Sequence, residues 1–246
     1  MTNSNIFNGN TAIAVLDILG FSNLVNSTRI GELPLILYRI KRESLGSVIN
    51  DETVGIHIIS DTIVIYGTEN KEKLNMLCVL VTATNMIARL ANVQLPIRGA
   101  LSFGHMYINK TNGDMIGPAL VQAYSLGQKF NWTGAVIDPK YSDDYYNVTI
   151  NSPCEYDIVK YPAPIKNGPS SQYICLNWIN RLAVTNSFLK DLYFPTGKCN
   201  DYDVYTKYRN TIDFRNYCVD NYLVTNKTCI KDRKDNPYTS PADILE

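Results

Sequence analysis

An α+β fold is what the sequence predicts, and three observations predict it. Two β-branched runs, residues 55–59 and 62–66, flank the polar pair Ser60-Asp61 in the manner of a hairpin. Between residues 71 and 91 the apolar positions Leu74, Leu77, Leu80, Val81, Met86, Ile87 and Leu90 recur at helical spacing with no Gly or Pro. With the segments around them the order becomes β, α, β, β, α, β, α, β, the pattern of a ferredoxin-like split βαβ sheet with helices on one face.

Taken in order, the apolar run 11–16 ends in Asp17 and passes into Gly20-Phe21-Ser22, which reads as a buried strand running into a helix start. Helical pattern continues, with breaks, to about residue 49. The hairpin follows, with Asp61 at its turn, and then the long helix. Residues 96–108 read as a strand through Ile97, Ala100, Leu101, Phe103 and Tyr107. Asn112-Gly113 is a turn, 117–130 a second helix with Pro118 in its first turn, and 135–137 a short strand. These elements define a domain over 1–180. Beyond Trp178 the composition shifts to Asn, Asp, Lys and Tyr, and weak helical segments near 179–193 and 201–222 predict a helical C-terminal extension over 181–246, polar from residue 231.

Composition narrows the function. A chain of 246 residues with 45% hydrophobic content fills a core, and 23 basic against 23 acidic residues leave no cationic field for non-specific nucleic-acid binding. Apolar stretches are interrupted before the roughly 18 residues that span a bilayer, and the first residues carry neither a basic nor an apolar leader region. The expectation is a soluble, cytoplasmic protein with no nucleic-acid or membrane partner. Six cysteines without a CxxC pair read as reduced thiols. With no GxxxxGK[ST] loop and only His57 and His105, P-loop chemistry and a histidine-rich metal site are excluded.

An aspartate at the end of a buried strand costs several kcal/mol to desolvate unless it is paired or holds a metal, and Asp17 and Asp61 each terminate an apolar run. Taken singly, either reads as a cap or turn residue. Taken jointly they favour function, because a split βαβ sheet lays the first strand beside the hairpin. Two converging carboxylates suit hard divalent cations and in-line phosphoryl transfer. Backbone N–H groups of Gly20, Phe21 and Ser22 at the helix start suit a triphosphate.

The stretches Leu16-Asp17-Ile18-Leu19-Gly20-Phe21-Ser22, Ile58-Ile59-Ser60-Asp61, 96–104 (PIRGALSFG) and Asp114-Met115-Ile116-Gly117-Pro118-Ala119 resemble, in order and spacing, the motifs of class III nucleotidyl cyclases. Gly117-Pro118-Ala119-Leu120 with Ala123-Tyr124 looks like the bacterial pyrimidine cyclases of the Pycsar anti-phage systems. The resemblance implies a homodimer with composite sites, in which Asp17, Asp61 and the Ile18 carbonyl bind two Mg²⁺ or Mn²⁺ ions. It also implies a 3′,5′-cyclic nucleotide product that acts on a separate effector protein.

The family's base-reading positions fall on His57 and Asp114. That pair departs from the purine enzymes and suits uracil or cytosine, hence UTP or CTP and the product cUMP or cCMP. Read from the residues alone, His57 in an apolar strand is a core histidine. The helix Asn and Arg of the family are replaced by Val121 and Ser125, with Gln122 and Lys129 nearby and Lys129 expected on the helix face of Ser125. Lys166 resembles the family's lysine that contacts the terminal phosphates. Arg98, opening an apolar strand before Gly99, reads as an ion pair under the site. The alternatives are an adenylate or guanylate cyclase, or a catalytically silent nucleotide-binding regulatory module.

Overall fold

The computed structural model describes residues 5–48, 52–69, 71–150, 152–195, 197 and 201–223. The polar tail expected from residue 231, and Cys199 and Cys229, lie outside the described residues. The other four cysteines are buried free thiols, as expected.

The chain runs β1 (Ile6–Ile18), α1 (Phe21–Ser27), α2 (Leu33–Leu45), β2 (Val54–Ile59), β3 (Thr62–Gly67), α3 (Glu72–Asn92), β4 (Ile97–Asn109), β5 (Asp114–Ile116) and α4 (Pro118–Gly127). It continues through β6 (Gly134–Ile137), α5 (Ser142–Thr149), β7 (Ile158–Ala163), β8 (Ser171–Leu176), α6 (Asn186–Tyr193) and α7 (Tyr202–Cys218). The eight strands form one sheet in the order β2-β3-β1-β4-β6-β8-β7, with β5 paired to β4. All pairings are antiparallel except β4 with β6.

β1 is central because it is apolar on both sides. Ala12, Ala14 and Leu16 join the core built on α3, whereas Ile13 and Val15 join Val64, Tyr66, Met106, Ala119 and Ala123 beneath α4. Helices therefore cover both faces of this part of the sheet, not the single face expected. The expectation missed this because a strand buried on both sides reads as a continuous apolar run with no alternation to mark a second layer. α3 also corrects the reading of apolar run lengths. It is long and apolar enough to cross a membrane, yet 94% of that stretch is buried within the fold, where a helix surrounded by protein needs no polar face.

Two glycines set α4 down on the sheet. A Cβ on Gly127 would lie 3.0 Å from the Gly99 backbone, and one on Gly99 would lie 2.2 Å from the Val15 carbonyl oxygen. Helix and strand approach here at backbone distance.

The C-terminal helices share the main core. Phe214 of α7 meets Trp132 edge-on at 4.5 Å, and Trp132 stacks on Tyr161 at 5.6 Å. Thr133, Tyr193 and Thr211 form a buried hydroxyl chain, and the Trp178 indole donates to the Thr133 carbonyl at 3.3 Å. Each buried hydroxyl is thereby satisfied.

The Gly99→Ala and Gly127→Ala variants each lose about 1–3 kcal/mol of unfolding free energy in denaturant titrations, because the added methyl meets backbone. Gly31→Ala, with open space around its Cβ position, stays within about 0.5 kcal/mol of the parent.

Candidate active site

β1 carries Asp17 to its C-terminal end, where it lies opposite Thr62 of β3 and Arg98 of β4. One residue on, the Ile18 N–H donates to the Asp61 carbonyl at 2.9 Å, so the two aspartates predicted to converge are joined through backbone. Asp61 occupies the β2–β3 turn, after Ser60 in the left-handed region at φ 57°. A non-glycine residue there carries roughly 1–2 kcal/mol of strain, which the surrounding sheet sustains.

Asp17 Oδ2 accepts from Arg98 Nη2 at 3.0 Å and from Gln128 Nε2 at 3.4 Å. Arg98 also donates to Gln128 Oε1 at 2.6 Å and to the Phe130 carbonyl at 3.2 Å. Its side chain is only 6% exposed, so the expected ion pair under the site is present. Gln128 was not foreseen. α4 stops at Gly127, where the sequence reading ran the helix to residue 130, and Gln128 as its C-cap residue turns in toward Asp17. The signal was there: a Gly near the end of a helical pattern marks its terminus.

The same early stop moves Lys129 off the helix. It lies exposed in the following turn rather than on one face with Ser125, which is exposed on α4 itself. Its carbonyl accepts from the Lys166 N–H at 2.8 Å, tying this turn to the β7–β8 loop. The half-buried Lys166 ammonium makes no ion pair within 4 Å among the described residues. Burial, then the charges of Arg98 and Lys207, hold it below the ordinary lysine value, opposed by Asp203 and Asp17. Through that backbone hydrogen bond Lys166 lies beside the turn that follows Gln128, the residue that holds Asp17.

Gly20 caps α1 in the left-handed region at φ 74° with no side-chain cap, Phe21 packs on the core and Ser22 is exposed. His57 is half-buried, not a core histidine. A Cβ on Gly113 would lie 2.5 Å from its Cε1, so the β4–β5 turn rests on the imidazole. Asp114 follows directly and is exposed, its carboxylate accepting from Asn112 Nδ2 at 2.6 Å. The two base-reading candidates are thus neighbours through Gly113.

The donor set near Asp17 fits a hard divalent cation. Asp17 Oδ1 and both Asp61 carboxylate oxygens have no protein partner among the described residues. Among those residues no group of three or more His, Cys, Asp or Glu side chains is placed to bind a metal. Two carboxylates completed by substrate oxygens is a common Mg²⁺ arrangement.

Replacing Arg98 by Met leaves the Asp17 carboxylate without its cation, and about 3 kcal/mol of stability is lost. Adding Asp17→Asn recovers part of that loss, and the double-mutant cycle read by urea denaturation reports their coupling.

No protein-family model matches the chain, and no curated protein matches it in sequence. Solved structures do. The monomeric guanylyl cyclase domain of the RhoGC fusion protein from the aquatic fungus Blastocladiella emersonii matches at TM-score 0.53 and 13% identity, over 69% of this chain and 95% of that one. The adenylyl cyclase CyaB from P. aeruginosa matches at 0.50 and 14%, over 70% and 96%. The catalytic core of a rhodopsin-guanylyl cyclase with converted specificity, in complex with ATPαS, matches at 0.50 and 14%, over 70% and 98%. Such identities speak for the fold alone, and it is the fold that the ordered motifs implied: this chain shares the α+β fold of these adenylyl and guanylyl cyclase structures.

Proposed function

We propose that the chain is a metal-dependent pyrimidine nucleotide cyclase that converts UTP or CTP to cUMP or cCMP and pyrophosphate. The observation that carries this is the hydrogen bond from the Ile18 N–H to the Asp61 carbonyl, which sets Asp61 beside the end of β1 that bears Asp17, while Asp17 Oδ1 and the Asp61 carboxylate have no protein partner among the described residues. Two Mg²⁺ or Mn²⁺ ions, when bound there, supply Lewis-acid activation of the ribose 3′-hydroxyl and neutralisation of the leaving pyrophosphate. Arg98 and Gln128 fix the Asp17 carboxylate for that task. Lys166 takes the terminal phosphates, helped by the Gly20, Phe21 and Ser22 backbone. The places of the family's helix Asn and Arg fall on Val121 and Ser125, with Gln122 and Lys129 as the nearest replacements in the sequence. His57 and Asp114 read the base.

We further take residues 1–180 as the catalytic domain and 181–246 as its extension, with a homodimer sharing composite sites. Exposed Ile116, Val121 and Tyr124 around α4, and Leu35, Tyr38 and Leu45 on α2, support a second copy covering them. A role in anti-phage defence, with the cyclic product acting on a separate effector, rests on the resemblance to Pycsar cyclases. One observation favours a silent nucleotide-binding module instead: the solvent face of α4 presents Val121, 63% exposed, where the family places its Asn.

Incubation with Mn²⁺ and each of ATP, GTP, CTP and UTP, with products resolved by mass, separates these readings. A cyclic product from one pyrimidine is expected; a cyclic purine product selects an adenylate or guanylate cyclase, and nucleotide binding without product selects the module. Asp61→Ala reduces turnover by about 10³-fold or more, with the circular dichroism of the folded chain retained. Mixing inactive Asp61→Ala and His57→Ala proteins restores part of the activity where sites are shared between subunits.

A further inference from the structure

A cavity of about 620 Å³ lies between β4, the first turns of α4 and the connection from β6 to α5. Asp17, Asp61, Lys166, His57 and Asp114 are not among the residues that line it. Ser102, which does line it, stands four residues beyond Arg98 on β4, about 13 Å along the strand.

The lining includes a buried charge. Asp138 is 3% exposed and makes no ion pair within 4 Å among the described residues. Its carboxylate accepts from Ser102 Oγ at 2.9 Å and from the Lys140 N–H at 3.1 Å, both neutral donors on residues that also line the cavity. An ionised carboxylate has about four acceptor sites, and a desolvated one is costly until its charge is matched. Capping the turn after β6 accounts for the bond from the Lys140 N–H. It does not account for a buried charge left without a cation beside an open cavity.

Aromatic rings stand in the same lining. Phe103 and Tyr141 meet edge-on with ring centroids 5.7 Å apart, and Lys140 Nζ lies over the Tyr141 ring, 5.0 Å from its centroid. The ring therefore already takes a cation on its face, and that cation belongs to an exposed residue. Gly104, at φ 150°, keeps the space between these groups open: a Cβ there would lie 3.6 Å from the Ala119 Cβ and 3.7 Å from the Tyr141 hydroxyl. An unmatched carboxylate and aromatic faces around one cavity are complementary to an organic cation, which gains from both and is repelled by neither.

We propose that this cavity is a second ligand site, and that it binds a small organic ammonium ion. The ammonium pairs with Asp138, the apolar body packs on Phe103, Tyr141 and Ala119, and Lys140 yields the Tyr141 ring as the ligand enters. The site stands independently of the cyclase reading.

Ligand-observed NMR titration of the full chain with benzylammonium, and with benzyl alcohol as the uncharged control, tests it. In the parent, benzylammonium binds at least tenfold more tightly than benzyl alcohol. Asp138→Asn keeps the side-chain shape and an acceptor for the Lys140 N–H; it weakens benzylammonium about tenfold and leaves benzyl alcohol unchanged. Lys140→Met removes the competing cation and strengthens benzylammonium several-fold. Equal affinities of the two probes in the parent, or no binding of either, overturn the proposal, as does an unchanged benzylammonium affinity in folded Asp138→Asn. Should Asp138→Asn fail to fold, Lys140→Met decides: a gain confined to benzylammonium supports the site, and equal changes for both probes overturn it.

Discussion

A guanidinium buried to the extent of Arg98 is tolerated only where anions and acceptors surround it, and Asp17 is the anion. Much of the local architecture follows from that requirement. Arg98 enters β4 directly opposite Asp17, so the pair forms across the β1–β4 ladder without a bend in either strand. The remaining donors need acceptors from elsewhere, and the end of α4 supplies them through Gln128 and the Phe130 carbonyl. To bring those acceptors within reach, the helix must come down to backbone distance from the sheet. Gly127, whose Cβ would meet the Gly99 backbone, makes that possible. Ion pair and glycine contact are therefore two aspects of one constraint.

This arrangement leaves Asp17 half occupied. One carboxylate oxygen is fixed by Arg98 and Gln128, and the other is free beside a second aspartate held by a strained turn. A carboxylate oriented by a guanidinium loses little further freedom on taking up another ligand, which is the condition for a pre-organised site.

Legibility in the sequence followed length of pattern. The hairpin with Asp61 at its turn, the strand ending at Asp17 and the long α3 were readable because each combines a sustained apolar period with a clear terminator. β7 was not read as a strand, because Lys160 and Pro162 interrupt its apolar residues and each is exposed on the side away from the core. The second helical layer was hidden by the two-sided burial of β1. In the site, Asp17, Asp61 and Arg98 were legible as charged residues closing or opening apolar runs. Gln128 was missed because its role depends on where α4 ends, a matter of two residues, and element ends are set by tertiary contact as much as by propensity. The packing of α7 was beyond reach for a different reason: it depends on long-range aromatic contacts of Phe214 with Trp132 and Tyr161, in a helix with a weak apolar pattern.

Charge balance connects these pieces. The chain as a whole is neutral, so any local excess comes from arrangement rather than composition. Around the site Arg98 is neutralised by Asp17, which leaves Lys129, Lys166 and Asp61 without an ion-pair partner among the described residues. On the proposed reading two divalent ions and a nucleoside triphosphate nearly neutralise one another, so they add little net charge when they arrive together. Either one alone would confront the site with several uncompensated charges in a partly desolvated pocket, at a cost that grows as water is excluded. The unpaired charges include both kinds that such a combination calls for: a carboxylate for metal and an ammonium for phosphate. On the proposed reading a site balanced in this way takes up metal and nucleotide together.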